Sequence, residues 1–212
     1  MNLNHNLQDI YEKLYRHFGP QSWWPAETPF EVIVGAILAQ NTNWQNVAKA
    51  IDNLKRAKLL SPRKLYSLSR PRLAKLIRPS GYFNIKAKRL KEFLNFLFKN
   101  YGGSLKRMFG RPQEDLRKEI LAVKGIGPET ADSILLYAGG LPVFVVDAYT
   151  KRIFSRQKLL NEDTEYHQVQ ELFTRSLKKD VQLYNEYHAL IVRLGKDFCK
   201  KTKPKCEICP IK

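Results

Sequence analysis

The sequence predicts an all-α protein, on three observations. Apolar residues recur at helical spacing in segment after segment, helix start and stop residues bracket those segments, and strand signals are scarce. Leu7, Ile10, Tyr11, Leu14, Tyr15 and Phe18 form one face of a first helix, which Gly19-Pro20 ends. After the aromatic turn Ser22-Trp23-Trp24-Pro25, Thr28-Pro29-Phe30-Glu31 supplies an N-cap, a proline at the first helical position and an acidic first turn. Ile33, Val34, Ala36, Ile37 and Leu38 make that helix apolar nearly all round, which predicts a buried, central one. Thr42 reads as the cap of the next helix, with Trp44, Val47, Ala48, Ile51 and Leu54 on one face. Further helices are predicted from Pro62 to Leu68, from Pro71 to Ile77 and, after a turn at Gly81-Tyr82-Phe83-Asn84, from Ile85 to Asn100 ahead of Gly102-Gly103. The β-branched run Val143 to Val146 has only four residues and no alternating partner, so no sheet is expected.

A chain of 212 residues can bury a substantial core. Thirty-seven Lys and Arg against 20 Asp and Glu leave a net charge of +17, and a polyanion is the usual partner for such an excess. The basic residues run along the whole chain rather than along one amphipathic segment, which favours nucleic acid over a membrane surface. Met1 to Gln8 lacks the pattern of a signal peptide and no run approaches 18 apolar residues, so the expected location is cytoplasmic and nucleoid-associated. Cys199, Cys206 and Cys209 all fall in the last fourteen residues, which argues against a disulfide framework and for a local metal or cluster site.

The most informative stretch is Ile120-Leu121-Ala122-Val123-Lys124-Gly125-Ile126-Gly127-Pro128-Glu129-Thr130-Ala131, leading into an apolar helix from Asp132 to Tyr137. It reads as helix, tight glycine turn, helix. Glycines on both sides of Ile126 let backbone or a phosphate approach with no Cβ in the way, and the free N–H groups of the following helix start favour an anion. Eighteen residues after Glu129, Val145-Val146-Asp147-Ala148-Tyr149-Thr150-Lys151-Arg152 sets an acid at the end of an apolar run, before basic residues. The hairpin with this aspartate resembles the signature of the endonuclease III-like helix-hairpin-helix (HhH-GPD) DNA glycosylases. Thr28-Pro-Phe-Glu with Leu38-Ala-Gln-Asn-Thr42, Gly81-Tyr-Phe-Asn-Ile-Lys-Ala-Lys88, and His188-Ala-Leu-Ile-Val-Arg-Leu-Gly195 leading to Cys199 are similar to that family's segments in the same order.

The resemblance implies a two-lobed helical fold: a central module of residues 28–140 ending in the hairpin, and a second lobe of 1–27 plus 141–212. Double-stranded DNA with a flipped, damaged base is expected between them, bound by a monomer. Asp147 would be the catalytic carboxylate, stabilising the oxocarbenium character that develops as the C1′–N bond breaks, and orienting or deprotonating water. An ordinary helix N-cap before Ala148 is the structural reading of the same residue, and the two roles are compatible. Members of the family that also cut the strand resemble one another in a lysine two residues after the second hairpin glycine. Here that position is Glu129, and a carboxylate cannot form a Schiff base, so a monofunctional glycosylase is expected.

Gly125, Gly127, Lys124 and Thr130 are the expected contacts to DNA at the hairpin, with Gln40 expected to fill the gap left by the flipped base and Asn41 to assist it. The resemblance also implies a monovalent cation, Na+ or K+, held by the backbone carbonyls of Leu121, Val123 and Ile126. Trp23, Trp24, Pro25 and Trp44 are the candidate base pocket. Trp-Trp-Pro before the apolar helix, together with an aromatic after Asn41-Thr42, looks like the 3-methyladenine DNA glycosylase branch, and indole faces suit a cationic N-alkylated purine. Taken singly, each tryptophan reads more readily as core than as pocket, and their clustering brings the two readings level. Cys199-x6-Cys206-x2-Cys209 matches the first three ligands of the family's [4Fe–4S] loop, whose fourth would stand at position 215, outside this chain. A bifunctional glycosylase/lyase and a non-catalytic helix-hairpin-helix DNA-binding protein are the rival readings.

Overall fold

The computed structural model describes residues 3–21 and 23–212, the side chains from residue 7 onward; Ser22 of the aromatic turn and Met1 lie outside the described residues. Among these residues there are α-helices and short 3-10 and π turns and no strand. The chain divides into two compact units, one of residues 1–25 and 142–212, the other of residues 26–141.

The second unit is built around α2 (Pro29–Leu38), whose residues from Phe30 to Leu38 are all buried. Thr28 caps it as expected, its side chain accepting from the Glu31 N–H at 3.2 Å. Glu31 is also buried, and its charge is met by Lys55 of α3 (Trp44–Arg56) at 2.8 Å. The cap of α3 is Asn43, not Thr42: Asn43 accepts from the Asn46 N–H at 3.0 Å, while Thr42 accepts from the Asn46 side chain at 3.4 Å. Both residue types cap helices, and the extended backbone that a cap requires falls at Asn43 (φ −82°, ψ 157°).

Helices α4 (Pro62–Ser67) and α5 (Arg70–Leu76) precede a 3-10 turn at Arg78–Ser80, and α6 (Phe83–Tyr101) begins two residues earlier than its apolar pattern. Helices α7 (Leu105–Phe109) and α8 (Gln113–Leu121) lead to the hairpin, and α9 (Pro128–Ser133) follows it. The apolar helix expected from Asp132 to Tyr137 is α9 passing into a π-turn at Ile134–Ala138, which packs on α2.

In the first unit, α1 (Leu3–Phe18) packs on α11 (Tyr166–Ser176) and α12 (Val181–Asp197). Leu7 and Leu14 are fully buried, and the Tyr187 hydroxyl donates to the Leu7 carbonyl at 2.8 Å. Phe144, stacked on Phe173 at 4.1 Å, and Phe154 complete an aromatic core around Tyr187. The run Val143–Val146 is buried and lies in neither helix nor strand. Side chains from α11 take the place of a neighbouring strand: Gln170 donates to the Phe144 carbonyl at 2.6 Å and the Tyr166 hydroxyl accepts from the Val146 N–H at 3.3 Å.

Candidate active site

Those two bonds fix the backbone immediately ahead of Asp147, which is the N-cap of α10 (Ala148–Arg156). One carboxylate oxygen, Oδ1, accepts from the Thr150 N–H at 2.7 Å and from the Thr150 hydroxyl at 2.9 Å. The Thr150 hydroxyl in turn accepts from the Asp147 N–H at 3.4 Å, closing a capping box. The other oxygen, Oδ2, lies 3.6 Å from Nε2 of His188 on α12, the two side chains being 11% and 7% exposed. Burial pushes the Asp147 carboxyl up, but His188 and the two Thr150 donors more than offset it and hold it below the usual carboxylate range. The result is a nearly buried, ionised carboxylate with one oxygen saturated by its own helix.

His188 was legible only as part of a segment, not as a site residue. Its position depends on how α12 packs on α10, and Gly195 governs that packing: a Cβ there would stand 2.2 Å from Cδ1 of Tyr149. Arg152 adds bonds from α10 to the carbonyls of Cys199 at 2.9 Å and Gly195 at 3.3 Å.

In the other unit the hairpin turn follows the predicted chemistry. Gly125 has φ +89°, a conformation closed to most side chains, and a Cβ there would lie 2.6 Å from Cγ of Arg89. Gly127 caps α9 with open space where its Cβ would be. Arg117 of α8 grips the buried Asp132 of α9 through Nε at 2.7 Å and Nη2 at 3.0 Å, a brace across the hairpin that the sequence did not reveal. Lys124, Gly125, Gly127 and Glu129 are exposed.

Thr130, expected at the DNA surface, is 7% exposed. Its hydroxyl accepts from Gln40 Nε2 at 2.9 Å, so its side chain faces Gln40 instead of solvent. Gln40 Nε2 also donates to the Gly125 carbonyl at 3.2 Å, and its Oε1 accepts from Arg89. Gln40 is thereby tied to the hairpin, while Asn41 beside it is exposed with φ +53°. Buried Lys86 holds the start of this loop, donating to the carbonyls of Leu38 at 2.8 Å and Ser80 at 2.6 Å. Burial, reinforced by the Arg89 charge, brings its amine down to about 8. Tyr82 (φ +45°, 68% exposed) and Ile85 (52%) leave apolar surface open at the start of α6, a feature the turn assignment of Tyr82 did not anticipate. Of the hairpin carbonyls, that of Val123 accepts from the Ile126 N–H at 3.0 Å.

The candidate pocket tryptophans fall in different units. Trp23 and Trp24 meet edge to face at 6.1 Å in the first unit, beside exposed Pro25. Trp23 lines a pocket of about 540 Å3 with Tyr11, Tyr15, Asp180 and Glu186. Trp44, half-buried, opens α3 in the second unit. Cys199, Cys206 and Cys209 border one cavity of about 240 Å3, where Arg156 donates to the Cys199 Sγ at 3.4 Å. Among the described residues no three His, Cys, Asp or Glu side chains are gathered closely enough to hold a metal ion.

An all-helical fold with a glycine hairpin and a capped, ionised aspartate is that of the helix-hairpin-helix glycosylases, and comparison with known proteins agrees. A family profile described as "HhH-GPD superfamily base excision DNA repair protein" matches residues 34–179. A Methanocaldococcus jannaschii protein with the provisional name of DNA repair glycosylase is 50% identical over 209 residues, covering 97% of this chain and 94% of its own. The crystal structure of Helicobacter pylori 3-methyladenine DNA glycosylase bound to 1,N6-ethenoadenine superposes with a TM-score of 0.76 at 30% identity, covering 92% of this chain and 98% of that one. A trapped endonuclease III–DNA covalent intermediate shares the fold, with a TM-score of 0.85 at 21% identity over 100% of this chain and 94% of the other. The chain belongs to the HhH-GPD superfamily of base excision DNA repair proteins and is a DNA glycosylase of that family.

Proposed function

We propose that this enzyme is a monofunctional DNA glycosylase that flips a damaged base out of duplex DNA and hydrolyses its glycosidic bond, with N-alkylated purines such as 3-methyladenine as substrates. The observation that carries the reading is Asp147, an almost buried carboxylate kept ionised by His188 and Thr150. As the C1′–N bond breaks, its electron pair leaves with the base and positive charge builds on the sugar. A fixed carboxylate lowers the energy of that charge and takes a proton from the water that bonds to C1′. Capping does not compete with this role, because Thr150 engages Oδ1 alone, and Oδ2, with His188 beside it, keeps a lone pair for the reaction.

Glu129 stands where a strand-cutting relative would present an amine, and no Schiff base can form on a carboxylate. The expected product is an intact strand with an abasic site. Gly125, Gly127 and Lys124 are proposed to contact phosphate, Gln40 and Asn41 the gap in the duplex, and Thr130 to hold Gln40 in readiness. Trp24, Trp44, Trp23 and Pro25 are the proposed base pocket; the likeness to the 3-methyladenine enzyme, bound in its structure to 1,N6-ethenoadenine, supports an alkylated purine.

Thiols are the donors an iron–sulfur cluster takes, and Cys199, Cys206 and Cys209, which border one cavity but are not drawn together around a common point, are proposed as three of its ligands. Such a cluster would order the loop after α12 and has no part in the hydrolysis written above. The Val123 carbonyl keeps a lone pair after bonding Ile126, and with Leu121 and Ile126 it is proposed to hold a monovalent cation.

The reading is tested by incubating the enzyme with duplexes carrying 3-methyladenine, 1,N6-ethenoadenine, thymine glycol, 8-oxoguanine or a G·T mismatch, with and without alkaline cleavage. Release of an alkylated base, with breaks only after alkali and none from Asp147→Asn, is expected. Borohydride trapping of a protein–DNA adduct would overturn the monofunctional mechanism. Stoichiometric zinc in place of iron and sulfide would overturn the cluster.

A further inference from the structure

We propose that His188 is a positioning residue for Asp147, donating from Nε2 to the carboxylate oxygen that Thr150 leaves unsaturated. The proposal rests on the assignment of Asp147 as the reacting carboxylate, but its geometry stands independently. Oδ1 is committed to Thr150 twice over, whereas Oδ2 faces Nε2 at 3.6 Å, just outside hydrogen-bond distance. Both side chains are nearly buried, so the pair is poorly screened by solvent.

Helix α12 is held on either side of His188. One residue before it, the Tyr187 hydroxyl is bonded to Leu7; two turns after it, Gly195 seats the Tyr149 ring. Three ionisable side chains close to Asp147 in the chain or bonded to the backbone ahead of it have partners of their own. Lys151 donates to the Thr164 carbonyl, Arg152 to the carbonyls of Gly195 and Cys199, and the Tyr166 hydroxyl is on the Val146 amide.

His188 supplies what the cap cannot. Thr150 fixes one oxygen, yet the carboxylate can still rock about that anchor, and burial presses it towards its neutral form. A donor at Oδ2 removes both freedoms. Asp147 then meets the sugar already ionised and already aimed, with no rearrangement in the transition state.

The test compares His188→Ala with His188→Gln, whose amide places a donor near the position of Nε2. The Asp147 carboxyl is titrated by 13C-detected NMR, and single-turnover release of 1,N6-ethenoadenine from a duplex is measured against pH. In His188→Ala the carboxyl titration and the acid limb of the rate should both move up by about 1–3 pH units. His188→Gln should restore most of the shift. Should the alanine variant fail to fold, His188→Asn, polar but too short to reach Oδ2, replaces it with the same expectation. A folded variant lacking the imidazole with an unmoved Asp147 titration overturns the proposal. If the titration moves while the wild-type enzyme releases no base from any duplex in the panel, the positioning role stands and the assignment of substrate fails.

Discussion

Gln40 Nε2 lies 2.9 Å from the Thr130 hydroxyl, so the residue at the end of α2's loop is fastened to the second helix of the hairpin. With the Gly125 carbonyl and Arg89 as further partners, Gln40 braces the turn in the unbound protein. Service in the DNA gap would require Gln40 to give up these bonds.

Thr130→Val removes one of them while preserving shape. Because the residue is buried, the change should leave the DNA-facing surface intact. A loss of about 1 kcal/mol is expected, the net worth of a typical hydrogen bond. For a chain of this size that lowers Tm by roughly 2–4 °C. Calorimetry checks the stability, and fluorescence anisotropy with an undamaged duplex should show unchanged affinity.

The Arg117–Asp132 brace carries more. Asp132 is fully buried, and its two bonds to Arg117 help to make a charge tolerable there. Arg117→Met takes a charged partner and two hydrogen bonds from the buried carboxylate and should cost about 3–5 kcal/mol, whereas Arg117→Met with Asp132→Leu should recover most of the loss. Urea unfolding of both variants decides it. Equal instability of the two would show that the packing of α8 on α9, not the charge pair, holds the hairpin.

These pairs also mark what could be read from the sequence. Gly125 and Asp147 were legible because their work is local: a turn that needs φ above zero and a cap that needs a short oxygen acceptor both leave a pattern within a few residues. Thr28-Pro29 was legible for the same reason. Thr42 was misjudged because it and Asn43 carry equivalent chemistry, and only the backbone angles separate them. The parts played by His188, Arg117 and Lys86 left no signal, since each acts on a partner brought near by packing: His188 on Asp147, Arg117 on Asp132, Lys86 on the Leu38 carbonyl. The bond between Gln40 and Thr130 left no pattern either, since the two residues are 90 apart in the chain.

Lys86 gives a prediction in pH. Its amine titrates at about 8 in the folded protein against 10.5 for an unperturbed lysine. Between these values the unfolded chain holds a proton that the folded one has released, so this group makes stability rise with pH across that window and gives back the gain as pH falls towards 8. Many other lysines and tyrosines titrate there too, so the quantity to measure is the difference between wild type and Lys86→Met. Urea unfolding at about pH 8 and about pH 10.5 should show the wild type gaining on the variant at the higher value. An unchanged difference would mean that the amine keeps an ordinary affinity for its proton in the folded state.

Gly195→Ala tests the packing on which Asp147 and His188 both depend. The added methyl would meet Tyr149 Cδ1 at 2.2 Å, well inside contact distance, so either the ring or α12 must shift. Overpacking of this kind costs about 1–3 kcal/mol. Since His188 is on α12 and Asp147 caps α10, a shift between the helices also lengthens the 3.6 Å separation of the pair. Excision should therefore fall and its acid limb should rise, in the same direction as for His188→Ala. Tyr149→Ala in the same chain relieves the clash, and recovery of the pH profile by that second change would locate the defect in helix spacing. A Gly195→Ala enzyme with lowered Tm but an unaltered pH profile would show that the Tyr149 ring yields and the Asp147–His188 pair does not.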